Sequence, residues 1–91
     1  MELPKSFSLS QNYPNPLNRV TKIGYALPRD YRVTLEVYNV FGRRVAILVD
    51  GNRNTGYKVV TWDINQMASG VYFYKLRAGD FVQTKMIVLL R

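Results

Sequence analysis

The 91-residue chain contains no histidine and no cysteine. It therefore lacks the side chain that most often serves as a general base near neutral pH, and the thiolate that serves as a nucleophile. Without cysteine there is no disulfide and no thiolate metal site. The aspartates fall at predicted turns, where Asp normally shapes the backbone; they are Asp30, Asp50, Asp63 and Asp80. The composition therefore predicts a protein that is not an enzyme and that binds no cofactor and no metal ion.

Long apolar runs are also missing from the sequence. No segment approaches the roughly 18 continuous apolar residues of a membrane span, and residues 1–5 lack the apolar core of a signal peptide. We interpret Met1 as a start residue added to a fragment of a longer protein. The chain accordingly divides into a start segment or linker, residues 1–5, and one domain, residues 6–91, near the small end of the usual range.

Acidic residues are scarce relative to basic ones: 6 Asp and Glu stand against 13 Lys and Arg, giving a net charge of +7. Such a balance suggests anionic partners such as nucleic acid, phosphorylated lipid or acidic polysaccharide. The simpler interpretation, which we favour, is a solvated basic face of a sheet. Nucleic acid is not expected as a partner, because the consensus of single-strand RNA-binding domains is absent.

What the sequence does contain is period-two alternation, with almost no helical periodicity. Val33, Leu35 and Val37, for example, alternate with polar neighbours, as expected of a strand with one solvated face. The pattern predicts an all-β protein, an immunoglobulin-like antiparallel β-sandwich of about seven strands, with Trp62 packed between its sheets. The predicted strands lie near residues 7–9, 20–27, 32–40, 44–49, 57–63, 71–77 and 81–90.

Turn-forming residues separate these strands. Pro14 and Pro16 flank Asn15, so two of three φ angles are fixed and two ladder donors are lost, which suits a turn into a sheet. Gly42 is expected to form a tight reversal, and residues 78–80 a hairpin turn. Residues 50–56 are predicted to form a polar loop rather than a calcium site, because a closing Glu is missing. Residues 65–70 are predicted to form a single helical turn between the sheets.

The last strand is apolar on both faces. Met86, Val88 and Leu90 alternate with Ile87 and Leu89. Such a strand at a sheet edge is prone to pair with other chains unless it is covered. We therefore expect either that the sandwich covers both faces or that one face meets a partner.

Several stretches in this order and spacing resemble the C-terminal sorting domain of the type IX secretion system of Bacteroidetes and related bacteria. They are also similar to the immunoglobulin-like domain of the flagellar hook-capping family. The matching stretches are residues 7–16, 23–28, 33–45, 48–51, 61–63, 68–76 and the terminal strand. The positions that carry the structural pattern are Pro14, Asn15, Pro16, Gly42, Trp62, Gly70 and Tyr72.

The resemblance implies a non-catalytic module at the C-terminus of a larger secreted protein, often a hydrolase. Proteins that carry such a domain pass through the periplasm, and the domain directs them to an outer-membrane translocon. A surface sortase then removes the module as the cargo is released or attached to anionic lipopolysaccharide at the cell surface. The family's recognition region corresponds here to Lys85, Met86, Ile87, Val88, Leu89, Leu90 and Arg91.

The chain departs from the family pattern in two places. After Pro16 it has residues 17–19 where the family has an aromatic residue, Asn and Pro, and it has Met86 and Ile87 where the family often has a second basic residue before Met. An apolar terminal strand suits recognition by strand addition to its edge, and a second copy pairing through this strand is a further candidate partner.

Two other functions stay open at this stage. One is an accessory module that binds carbohydrate or the cell envelope, with Tyr38, Phe73 or Tyr57 as stacking planes. Outward aromatic residues also stabilise sheets without any ligand, and we favour that simpler interpretation. The other is a structural spacer, which the flagellar similarity supports.

Overall fold

The alternating residues form seven β-strands in the computed structural model, which describes residues 2–16, 19–64 and 67–90. The strands are β1 (Ser8–Leu9), β2 (Val20–Leu27), β3 (Tyr31–Tyr38), β4 (Arg44–Arg53), β5 (Gly56–Asp63), β6 (Gly70–Ala78) and β7 (Phe81–Leu89). All pairings are antiparallel. The prediction of an all-β sandwich of about seven strands is confirmed.

The strands divide into a three-stranded sheet with the order β1-β2-β5 and a four-stranded sheet with the order β4-β3-β6-β7. Residues 28–30 and 54–55 connect the two sheets at one end of the sandwich. The opposite end carries the loop of residues 10–16, the turn of residues 39–43 and the last described residue, Leu90. We call residues 10–16 the proline loop and this end of the molecule the proline-loop end.

The core lies between the sheets and consists of the inward side chains of each alternating strand. Trp62 is buried there, as predicted, with its ring 6.5 Å from that of Tyr72 and nearly perpendicular to it. The Tyr72 hydroxyl donates a hydrogen bond to the carbonyl of Ala68 over 2.7 Å. Other fully buried core residues include Ile23, Leu27, Val33, Leu35, Val37, Tyr74, Leu76, Ile87 and Leu89.

The predicted polar loop at residues 50–56 is wrong over most of its length. β4 continues to Arg53, because residues 50–53 pair with residues 31–34 of β3. Asp50 lies within this ladder and accepts a hydrogen bond from Arg32 over 2.6 Å. The turn-forming side chains suggested a loop, but cross-strand pairing outweighs that local preference.

Smaller differences occur at other boundaries. β1 begins one residue later than predicted, and β3 runs over residues 31–38 rather than 32–40. The predicted helical turn at 65–70 includes Asn65 and Gln66, which lie outside the described residues. Of its remaining members, Met67 donates its backbone N–H to the carbonyl of Ile64 over 3.0 Å, and Gly70 already begins β6.

The hairpin turn between β6 and β7 is confirmed and requires glycine at one position. Gly79 has a φ of 59°, and a Cβ atom there would lie 2.7 Å from the Tyr31 ring. A larger residue would therefore meet both backbone strain and a clash. None of the described segments forms a helix of the length and apolarity needed to cross a lipid bilayer.

Candidate functional site

The proline loop is held by a small polar network. Asn12 is buried, and its side-chain amide donates to the Thr21 hydroxyl over 3.0 Å and to the Pro14 carbonyl over 3.1 Å. The Thr21 hydroxyl donates to the same carbonyl over 3.1 Å. The backbone of Tyr13 also pairs with Lys22 of β2 in both directions. Since buried polar groups with partners give a rigid arrangement, the loop has a fixed position beside the sandwich.

From this position the loop contacts the outer edge of β7. Gln11 donates a side-chain hydrogen bond to the Met86 carbonyl over 2.7 Å, and the Val88 backbone N–H donates to the Asn15 side-chain oxygen over 3.0 Å. In an antiparallel ladder, alternate residues direct their backbone groups away from the neighbouring strand. Gln11 and Asn15, which we call the edge clamp, therefore satisfy outward backbone groups of an edge strand and hinder its pairing with another chain.

The terminal residues of the predicted recognition region divide between the two faces of β7. Ile87 and Leu89 are buried in the core, whereas Met86 is 48% exposed and Leu90 is 56% exposed. Lys85 and Val88 are half-buried, and Arg91 lies outside the described residues. The sandwich thus covers one face of the strand and leaves Met86 on the other face exposed, and the expectation that this face meets a partner stays a prediction. Tyr13, in the proline loop, is exposed at the same end.

Removing the Asn15 side-chain oxygen is expected to loosen the edge of β7. In an Asn15→Ala variant the Val88 amide loses its partner, so its hydrogen-exchange rate should rise about five- to tenfold, as a net hydrogen bond of about 1 kcal/mol implies. Exchange of individual amides measured by NMR tests this. An Asn54→Ala variant at the opposite end of the sandwich is the control. Unchanged protection of Val88 in Asn15→Ala would contradict the edge clamp.

A second feature of the proline-loop end is the turn between β3 and β4. The Asn39 side-chain oxygen accepts hydrogen bonds from the backbone N–H groups of Phe41 (2.9 Å) and Arg43 (3.0 Å). Gly42 has a φ of 79°, which favours glycine. The reversal predicted at Gly42 is therefore present, and it holds Val40 and Phe41 in contact with solvent.

A shallow concavity of about 380 Å³ lies beside this turn on the outer face of the four-stranded sheet. Tyr38 and Phe73 are paired across β3 and β6, and the Lys75 ammonium lies 5.1 Å from the centre of the Tyr38 ring. The structure thus brings together two of the three candidate stacking residues. Tyr57, the third, lies in the other sheet. The residues lining the concavity are Tyr38, Asn39, Val40, Gly42, Phe73, Lys75 and Thr84.

The charged side chains near the concavity include two cations, Arg44 and Lys75, and one carboxylate, Glu36. Glu36 accepts hydrogen bonds from Arg44 over 2.7 Å and from the Tyr38 hydroxyl over 2.9 Å. These bonds, that of Arg44 first, lower the pKa of the Glu36 carboxyl below its usual value. Among the described residues no group of three or more acidic side chains is placed to hold a metal ion. The arrangement suits the binding of an apolar or anionic surface.

Sequence reasoning did not identify Gln11 or Phe41 as important residues. Gln11 contacts a residue 75 positions away, and no local pattern could indicate such a pairing. The exposure of Phe41 could have been inferred from its place beside Gly42 in a predicted turn, because turn residues seldom contribute to a core.

The family model described as "Secretion system C-terminal sorting domain" matches residues 11–90 of the chain. The matched region begins at Gln11 of the edge clamp and ends at Leu90, so it includes both candidate surfaces and all strands except β1. No curated protein and no solved structure matches the chain.

Proposed function

The chain belongs to the family of secretion system C-terminal sorting domains, and on that premise we propose that it is the non-catalytic address of a larger secreted hydrolase. As a sorting domain of the type IX system, it marks a cargo protein for export to the cell surface or the medium. In this proposal the cargo crosses the periplasm, the outer-membrane translocon recognises the domain, and a surface sortase removes it. The cargo is then released or attached to anionic lipopolysaccharide.

The observation that carries the proposal is the structure of β7. Its inner face anchors the strand through Ile87 and Leu89, while Met86 and Leu90, the residue just after the strand, stay exposed, and the edge clamp holds the strand in place. A partner protein must be able to recognise a sorting signal on the surface of the folded domain. A rigid strand with exposed apolar side chains meets this requirement, because little ordering entropy is lost when a partner binds it.

The edge clamp also limits the ways in which a partner could bind β7. Strand addition beside Met86 and Val88 would require the Gln11 and Asn15 side chains to leave their backbone partners. A second copy pairing through β7 would meet the same two side chains. We therefore propose that the translocon reads the outward side chains of the terminal strand, which dock in apolar pockets of the partner.

Substitution of the exposed side chains separates recognition from folding. We expect a Met86→Ser/Leu90→Ser variant, fused behind a reporter in a bacterium with a type IX system, to be exported about tenfold less, since tenfold corresponds to about 1.4 kcal/mol of binding. Val82→Ser is the matched control, because Val82 is exposed on the same face of β7 at its other end. Its export should equal that of the wild type.

Deletion of residues 85–91 would be less informative, since it also removes buried core residues. The melting temperatures of both substituted proteins should stay within about 2 °C of the wild type, as surface changes usually have small effects. Export of folded Met86→Ser/Leu90→Ser at the wild-type level would reject the exposed face of the terminal strand as the address.

One observation favours a second function, the binding of polysaccharide. Tyr38 and Phe73 lie side by side in the shallow concavity, with the Lys75 ammonium beside them. Paired aromatic planes with a polar rim suit sugar rings. Binding of soluble xylan, cellulose or lipopolysaccharide by the isolated domain, lost in Phe73→Ser, would support an accessory binding module. Absence of binding to all three would remove this candidate.

A further inference from the structure

The turn between β3 and β4 exposes two adjacent large apolar residues. Val40 is 60% exposed and Phe41 is 90% exposed, and Phe41 has the most exposed side chain among the described large hydrophobic residues. Single exposed apolar residues are common, whereas contiguous exposed apolar surface is typical of interaction sites. Here the Asn39 side chain fixes the turn, so the exposure does not follow from a loose loop.

Cations surround this projection. Arg43 lies two positions after Phe41 and has no carboxylate partner in the part that the structure describes. Arg44 is paired with Glu36, and Lys75 lies over the Tyr38 ring on the neighbouring outer face. Close to the turn there are thus three cationic side chains and one carboxylate, and the net charge of the whole chain is +7. An approaching anionic surface would be attracted to this side of the molecule.

We propose that the hairpin tip, defined as Val40, Phe41 and Arg43, docks onto a lipid surface with anionic headgroups. The two apolar side chains enter the boundary between headgroups and acyl chains, while Arg43 and Lys75 stay level with the headgroup phosphates. Apolar insertion combined with basic side chains is the usual chemistry of interfacial membrane contact. The tip projects from the end of a hairpin, which fits a deformable lipid surface better than the flat face of another protein.

This docking does not depend on the proposed sorting function. The tip belongs to the proline-loop end, so docking would turn that end of the sandwich, with Tyr13 and Leu90, towards the lipid surface. The groups that contact lipid are distinct from Met86, the central exposed residue of the proposed address. A failure of lipid binding would leave the export proposal standing, and export of Met86→Ser/Leu90→Ser at the wild-type level, which would reject the export proposal, would leave the lipid proposal standing.

Co-sedimentation of the 91-residue chain with vesicles tests the proposal. We expect binding to vesicles of phosphatidylglycerol and phosphatidylcholine, weaker binding at 0.5 M salt, and little binding to vesicles of phosphatidylcholine alone. A Phe41→Ser variant should bind the anionic vesicles about thirtyfold more weakly, which corresponds to about 2 kcal/mol. Tyr57→Ser is the matched control, because Tyr57 is also strongly exposed but lies in the other sheet, and its binding should stay within about twofold of the wild type.

A second variant checks insertion directly. In Phe41→Trp the new indole should show a blue-shifted emission with anionic vesicles, measured against the wild type to subtract Trp62. Equal binding to both kinds of vesicle, equal binding by Phe41→Ser and wild type, or no binding to anionic vesicles would each overturn the proposal. Crosslinking of position 41 to a translocon protein, in the absence of vesicle binding, would assign the tip to a protein partner instead.

Discussion

An Ile87→Ala variant is expected to unfold with a free energy about 3 kcal/mol lower than that of the wild type. Ile87 lies in β7 but is 0% exposed, packed in the core between the two sheets. Its truncation removes apolar contacts and leaves a cavity that the surrounding strands fill only in part. For a domain of this size, whose total stability is about 5–10 kcal/mol, the loss is a large fraction. Equilibrium unfolding in urea measures it.

Met86→Ala is the matched control, because Met86 is the preceding residue on the exposed face of the same strand. Its effect should stay below about 1 kcal/mol. Similar losses in the two variants would contradict the assignment of inner and outer faces of β7. The comparison also bears on export: an Ile87 variant that fails to be exported reports unfolding, whereas a Met86 variant reports recognition.

The second large effect is a loss of stability at alkaline pH. Burial raises the pKa of the Tyr74 hydroxyl to about 12, against a smaller opposing effect of the Asn12 backbone, and the hydroxyl donates to the Ser10 carbonyl over 2.6 Å. In the unfolded chain a tyrosine loses its proton near pH 10. The stabilisation is therefore fully present below pH 10 and is lost as the pH rises to about 12. The two-unit difference amounts to about 3 kcal/mol.

A Tyr74→Phe variant isolates this contribution. At pH 7 it should be less stable by about 1 kcal/mol, because it lacks the hydrogen bond to Ser10. Between pH 10 and 12 its stability should fall less steeply than that of the wild type. Other tyrosines, among them Tyr25, also have a raised pKa, so a residual slope is expected. Curves of unfolding free energy against pH that run parallel for the two proteins would contradict the role of Tyr74.

The alternation of the sequence was sufficient to predict the strands and most of the core. Val33, Leu35 and Val37 are all buried as their pattern indicated, because a strand directs successive side chains to opposite faces. The end of β4 could not be predicted in this way. Its residues 50–53 favour turns locally, and only their pairing with β3 makes them a strand.

The candidate site was less predictable than the fold. The apolar pattern divided the terminal strand into two faces but did not indicate which of them is buried; the structure buries Ile87 and exposes Met86. The edge clamp did not follow from any pattern. It depends on the three-dimensional path of the proline loop, which brings Asn15 to Val88 across 73 positions of sequence.

The hydrogen bonds from the proline loop to β7 also couple the proposed address to the folding of the whole module. Met86 and Val88 acquire their side-chain partners only after residues near the beginning of the chain have been placed against β2. A domain held by contacts between residues far apart in sequence folds more slowly than one held by local contacts. On the export proposal, a receptor that binds β7 in this form would distinguish a folded module from one that is still folding.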